Sequence, residues 1–240
     1  IRRPPRSTLF PYTTLSRSAG FDNFNIDIMH GLPEQTTQKA LADIKIATSL
    51  GCNHLSWYEL TLEEDTYFGS HPPKLPNEDN LADIEEQGFV LLKELGFNRY
   101  EVSGYTKDRR CQNNLNYWFF YDYFGIGAGA HSKIKIGDKT CRRGNPQDPS
   151  SYIEEVKNKK NNFFEVKKSD LPFEFMLNRL RVFDETKYDE FENTTRLNFS
   201  TVKDKLEKAK DDGLLQFSDT GYALTDKGRW MLNDILELFL

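Results

Sequence analysis

The chain has 240 residues, 38% of them hydrophobic and 29% charged, and a formal net charge of −5 with both signs interspersed. That composition specifies a packed core rather than a disordered chain, and it offers no basic surface for nucleic acid. No apolar run approaches the ~20 residues that a membrane-spanning helix needs, and the length suits one large domain or two modest ones.

The first eighteen residues, "IRRPPRSTLFPYTTLSRS", hold four arginines, three prolines and no acid. Their apolar residues follow neither a period of 2 nor one of 3.6, and Pro4, Pro5 and Pro11 break any amphipathic helix. The segment is read as a non-native leader, outside the fold.

From there the elements alternate. Phe24–Met29 reads as a strand, Gly31 and Pro33 as a turn, and Thr37–Leu50 as a helix with Leu41, Ile44 and Ala47 on one face and Gly51 at its end. "HLSWYELTL" (54–62) is the next strand. Asn77 caps a helix whose core side carries Leu81, Ile84, Leu91 and Leu95, and "NRYEVSGY" (98–105) is a third, short strand. Strand–helix–strand–helix–strand implies a parallel α/β sheet with right-handed crossovers. So few strands cannot close such a sheet, so the pattern reads as the end of an α/β barrel. On this reading Ile26, Ile28, Leu55 and Trp57 lack neighbours, and poor solubility is expected.

After the aromatic, then glycine-rich stretch "FFYDYFGIGAGAHSKI", Gly137-Asp138 marks a hairpin, and Asp148-Pro149 opens a helix to about Asn158. Helices at 171–182 and 200–211, a hairpin at Thr220-Gly221 and an amphipathic C-terminal helix make a winged-helix-like α+β arrangement. The expected organisation is a barrel remnant over 19–147 and a winged-helix-like domain over 148–240. The third helix mixes Lys203, Lys205, Lys208 and Lys210 with Asp204, Glu207, Asp211 and Asp212, a poor phosphate reader.

Cys52, Cys111 and Cys141 lie far apart with no C-x-x-C pair, so they read as the reduced thiols of a cytoplasmic protein. Several residues have both a functional and a plain reading. Asp27, between Ile26 and Ile28, is either a ligand contact at a barrel strand's end or a buried carboxylate satisfied by backbone amides. Glu59 and Thr61, on the same alternating face as Trp57, either contact a ligand or merely run into a loop. The glycines of "GIGAGAHS" (125–132) allow either close approach to a planar ligand or a bend in a packed strand. His131 is a ligand, a proton carrier or a hydrogen-bonded structural histidine. In "NNLNYW" (113–118), Tyr117 and Trp118 either stack on a flat ligand or fill the core.

"NIDIMHGLPEQT", "HLSWYELTLEEDT", "YEVSGY", "NNLNYW" and "FGIGAGAHS", in this order before a winged-helix-like tail, resemble the radical SAM proteins related to oxygen-independent coproporphyrinogen III oxidase. The resemblance runs from about residue 19 to the C-terminus and is nearest to the haem-chaperone branch. It implies a partial (β/α)6 barrel holding S-adenosylmethionine (SAM) and a [4Fe–4S] cluster on a C-x-x-x-C-x-x-C run. It also implies that Asp27, Thr61 and His131 contact the cofactor, and that Asn114, Tyr117 and Trp118 touch haem or substrate. Expected partners are haem or a porphyrin and a haem-accepting protein.

Two departures stand out. The cysteine run is missing, so the chain as it stands is expected to form no cluster and to be catalytically inactive, as a truncated copy would be. Asn113 occupies the position where the branch carries a histidine, and an amide is a poor iron ligand. The resemblance leaves three functions open: haem trafficking, oxidative decarboxylation of coproporphyrinogen III, and an inactive remnant.

Overall fold

A computed structural model describes residues 19–64, 66–159 and 162–240; the segment read above as a leader, residues 1–18, lies outside them. The chain divides into two compact units at Cys111/Gln112.

In the first unit, β1 (Asn25–His30) lies parallel to β2 (His54–Glu59), with Asp27 beside Ser56 and Ile28 beside Trp57. Helix α1 (Thr37–Ser49) joins them as a crossover, its Thr36 cap accepting from the Lys39 amide. A four-residue turn of helix, α2 (Tyr67–Ser70), precedes α3 (Glu78–Glu94), which is capped by Asn77 as expected. The sheet order is β1-β2-β4-β3. Here the all-parallel expectation needs correcting. The segment 98–105 is a tight pair, β3 (Asn98–Arg99) and β4 (Gly104–Thr106), and β4 runs antiparallel to β2. The turn between them is held by the Arg99 guanidinium, which donates to the Val102 carbonyl.

Both helices cover one face of this sheet. Ile26, Leu55, Trp57 and Tyr105 share a core with Ala40, Ile44, Ala47, Ile84 and Leu92, with Ile28 packed against it. The expectation that Ile26, Ile28, Leu55 and Trp57 lack neighbours is therefore wrong: α1 and α3 supply them. On α3 the fully buried positions are Ile84, Gly88 and Leu92, with Leu91 and Leu95 half-buried beside them. Gly88 faces the Trp57 indole so closely that a Cβ there would fall 2.0 Å from Cη2. Only a glycine lets helix and ring meet at that spacing.

His30, at the end of β1, is 3% exposed and packs against Trp57, the ring centroids 4.2 Å apart and the planes tilted by 44°. Its Nδ1 has no hydrogen-bond partner among the described residues. Burial, with the nearby Arg99 charge, lowers its pKa from 6.5 to about 4. The folded imidazole thus stays neutral while the unfolded one takes a proton below pH 6.5. Stability of this unit is expected to be full above pH 6.5 and to fall as pH drops toward 4, by about 2–3 kcal/mol. Urea titrations at pH 7 and 4.5, with His30→Leu as reference, check this; an equal acid loss in both proteins contradicts it.

The second unit opens with α4 (Gln112–Trp118), followed by the glycine loop and three antiparallel strands, β5 (His131–Ile136), β6 (Lys139–Gly144) and β7 (Phe164–Glu165). Ile136 pairs with Lys139 across the two-residue turn expected at Gly137-Asp138. Helix α5 (Pro149–Lys157) starts at its Asp148 cap. There follow α6 (Leu171–Arg179), β8 (Thr186–Lys187), α7 (Tyr188–Thr195), α8 (Ser200–Asp211), β9 (Leu215–Phe217) and β10 (Gly221–Leu224). The C-terminal helix is two pieces, α9 (Asp226–Trp230) and α10 (Leu232–Glu237), interrupted at Met231.

Strands β8, β10 and β9 form the wing sheet. The core beneath it joins Phe175, Met176, Phe191, Val202, Leu206, Tyr222 and Ile235. Phe120 belongs to this same core, and β7 pairs with β6. Those contacts explain why the compact division falls ahead of the 147/148 boundary read from the sequence. On α8, Lys205 lies over Phe239 and Lys210 over Phe217, and Lys203 faces Glu207.

Candidate functional site

The first unit presents a polar face opposite its helices. Alternation along β1 and β2 sends Asn25 and Asp27, with His54 and Ser56, to the side away from Ile26 and Leu55. Asn25 organises this face: its Oδ1 accepts from His54 Nδ1 at 2.7 Å and from Ser56 Oγ at 3.2 Å, while its Nδ2 donates to Asp27 Oδ1 at 2.7 Å. His54 Nε2 meets Tyr100 Oη at 2.8 Å, and that oxygen also accepts from the Cys111 amide. Burial lowers the His54 pKa and pushes Tyr100 up to about 12. Asp27 is exposed, so the reading of a buried carboxylate satisfied by backbone amides is corrected; its Oδ1 accepts from the Asn25 amide.

Thr61 lies two residues beyond the end of β2, exposed, on a cleft of about 360 Å³ shared with Glu63, Thr66, Tyr67 and Phe68. Glu59, at the strand's last position, is exposed and near enough to Glu85 to help raise its pKa, after burial.

In the second unit, Asn114, Tyr117 and Trp118 fall at i, i+3 and i+4 of α4, on one face, while Leu115 is buried. All three are half-buried. Tyr117 packs edge-on to Tyr123 at 4.6 Å, and the Arg181 guanidinium lies 4.7 Å from the Trp118 ring. The Trp118 indole Nε1 is buried and has no hydrogen-bond partner among the described residues. Asn113 is exposed.

The glycine loop resolves into two kinds of position. Gly125 lies against the backbone of His131, where a Cβ would meet its carbonyl oxygen at 2.2 Å. Gly127 and Gly129 have φ of +107° and +71° and open space around them, so backbone conformation alone demands glycine there. Asn145 Nδ2 pins the loop by donating to the Gly127 carbonyl at 2.8 Å and to that of Gly125 at 3.3 Å. His131 is exposed at the first position of β5, its ring lying over Gly144.

A [4Fe–4S] cluster does not fit the residues present. Cys52 and Cys141 are buried in different units, Cys111 is half-buried, and no group of three metal-binding side chains occurs among the described residues. Sequence reading missed Asn25, His54, Ser56 and Tyr100. The signal was available in two neighbouring strands that each carry polar residues at i and i+2.

Residues 166–231 match the HemN C-terminal domain. Over 94% of its length the chain is 42% identical to "Heme chaperone HemW" of Haemophilus influenzae and, over the same share, 41% identical to that of Escherichia coli. It spans 59% and 60% of those two proteins. A solved structure of coproporphyrinogen III oxidase (HemN) from Escherichia coli, described as a radical SAM enzyme, shares the fold with a TM-score of 0.74 at 20% identity. The match covers 99% of this chain and 59% of that one. Among the described residues, no helix is long and apolar enough to cross a membrane.

Proposed function

We infer that this chain, related by sequence to the HemW heme chaperones and sharing its α/β fold with a radical SAM enzyme, binds haem or a closely related porphyrin and takes part in handing it to an acceptor protein. The observation that carries this reading is the 42% identity to a heme chaperone across nearly the whole chain. The HemN likeness, at 20% identity, speaks for the fold and not for oxidative decarboxylation. On this reading, proteins of the relatives' full length would use SAM and a [4Fe–4S] cluster as cofactors. The cysteines of this chain do not fit such a cluster.

The chain's own residues have these roles in the proposal. Tyr117 and Trp118 stack on or against the macrocycle, whose large apolar face matches aromatic rings. The unpartnered Trp118 Nε1–H and the Asn114 amide meet its polar edge. Asp27 and Thr61, both of the first unit, take hydroxyl or amino groups of SAM as acceptors. The helix α4 face is tested by hemin titration of the wild-type chain, Trp118→Phe and Tyr117→Leu. Each substitution is expected to weaken binding about five- to tenfold, in line with loss of one aromatic contact or one hydrogen bond. Unchanged affinity in both variants removes α4 from the site.

A further inference from the structure

A cleft of about 310 Å³ opens beside the glycine loop, and no residue discussed above as a cofactor or haem contact lines it. Its apolar wall is Phe124, Tyr152 and Val156, of which Phe124 and Val156 are exposed side chains. Its charged lining is Arg143 and Lys159, with no carboxylate among the lining residues. Asn145, already committed to the Gly125 and Gly127 carbonyls, holds the loop wall in place.

Arg143 is the centre of the argument. Its side chain is 11% exposed, and its Nε–H is buried with no hydrogen-bond partner among the described residues. A guanidinium donor shut away from water and left unpaired is costly, and a bound acceptor relieves it. Glu155 pairs loosely with it, 3.8 Å from Nη2 and beyond hydrogen-bond range. The planar fork of a guanidinium matches a carboxylate. The volume lies at the small end of ligand clefts, enough for a carboxylate and one edge of a larger apolar body.

We propose that this cleft binds the carboxylate of a flat apolar ligand, with Arg143 as the anion contact, Lys159 at the rim and Phe124 and Val156 against the apolar body. The ligand's identity as the propionate edge of a haem rests on the function proposed above; the carboxylate site itself does not.

The test uses the full chain and two fluorescent probes of one shape, 1-pyrenebutyrate and 1-pyrenebutanol, followed by anisotropy. The wild type is expected to prefer the carboxylate about tenfold, the scale of one charge-assisted hydrogen bond. Arg143→Gln is expected to abolish that preference while leaving pyrenebutanol binding unchanged, and Glu155→Gln to tighten pyrenebutyrate several-fold. Should Arg143→Gln fail to fold, Glu155→Gln and the exposed Lys159→Gln, which is expected to weaken pyrenebutyrate two- to threefold, decide instead. Equal affinity for the two probes, or a preference that survives Arg143→Gln in a folded protein, overturns the proposal. If pyrenebutyrate binds through Arg143 and hemin does not bind, this site stands and the haem reading falls. If hemin binds and pyrenebutyrate does not, the reverse holds.

Discussion

Replacing Arg179 by methionine is expected to destabilise the second unit by about 3–5 kcal/mol, the range for breaking a buried ion pair from one side. Arg179, at the end of α6, is 1% exposed. Its Nε donates to Glu190 at 2.6 Å and its Nη2 to the Glu185 carbonyl at 2.8 Å, with longer bonds from Nη1 to the Val182 and Asp184 carbonyls. One guanidinium thus closes the turn that leads from α6 into the wing strand β8 and ties it to α7. Methionine keeps most of the volume, but leaves the Glu190 carboxylate and several carbonyls without their donor. Urea unfolding measures the loss, and hydrogen exchange is expected to place it across residues 171–224. Pairing the change with Glu190→Leu removes the stranded charge and is expected to recover part of the stability, not all, because the carbonyls stay unpaired. A loss below about 1 kcal/mol for Arg179→Met contradicts this account of the turn.

The second large effect is expected at Gly88. In an open helix, Gly→Ala stabilises by about 1 kcal/mol. Here the added methyl falls on the Trp57 ring, which His30, Phe89 and Tyr105 back at ring-centroid distances of 4.2, 5.9 and 6.3 Å. With no room to retreat, overpacking outweighs propensity, and a net loss of about 2 kcal/mol is expected from the first unit. Because the clash is with one ring, Trp57→Phe is expected to relieve it, so the double variant loses less than the two single losses combined. Additive losses place the strain elsewhere.

Much of the fold was legible because the caps are explicit. Asn77 and Asp148 open α3 and α5 where their side chains accept from the third residue on, and Gly137-Asp138 turns β5 into β6. Helix α7, "YDEFENTT", was missed because its Asp, Asn and Thr residues give weak helical propensity; tertiary burial of Phe191, Thr194 and Thr195 decides it. The strand expected at 98–105 became a hairpin because a five-residue span between paired Arg99 and Tyr105 reverses the chain, a long-range pairing that local pattern does not reveal.

The candidate site was legible as motifs, not as surroundings. Of the two readings of Asp27, the buried carboxylate fails because period-2 alternation puts it on the opposite face from its apolar neighbours. The glycine loop left ligand approach and chain packing open; at Gly125 the packing partner is the chain itself. Arg143 gave no signal at all, since a donor's lack of a partner exists only in three dimensions.

The most direct test of the haem-binding reading is equilibrium titration of the purified chain with hemin, followed at the Soret band, with an unrelated protein of similar apolar content as reference. The proposed function predicts a saturable change at one hemin per chain, lost or weakened by Trp118→Phe. A non-saturating change equal to that of the reference protein contradicts it.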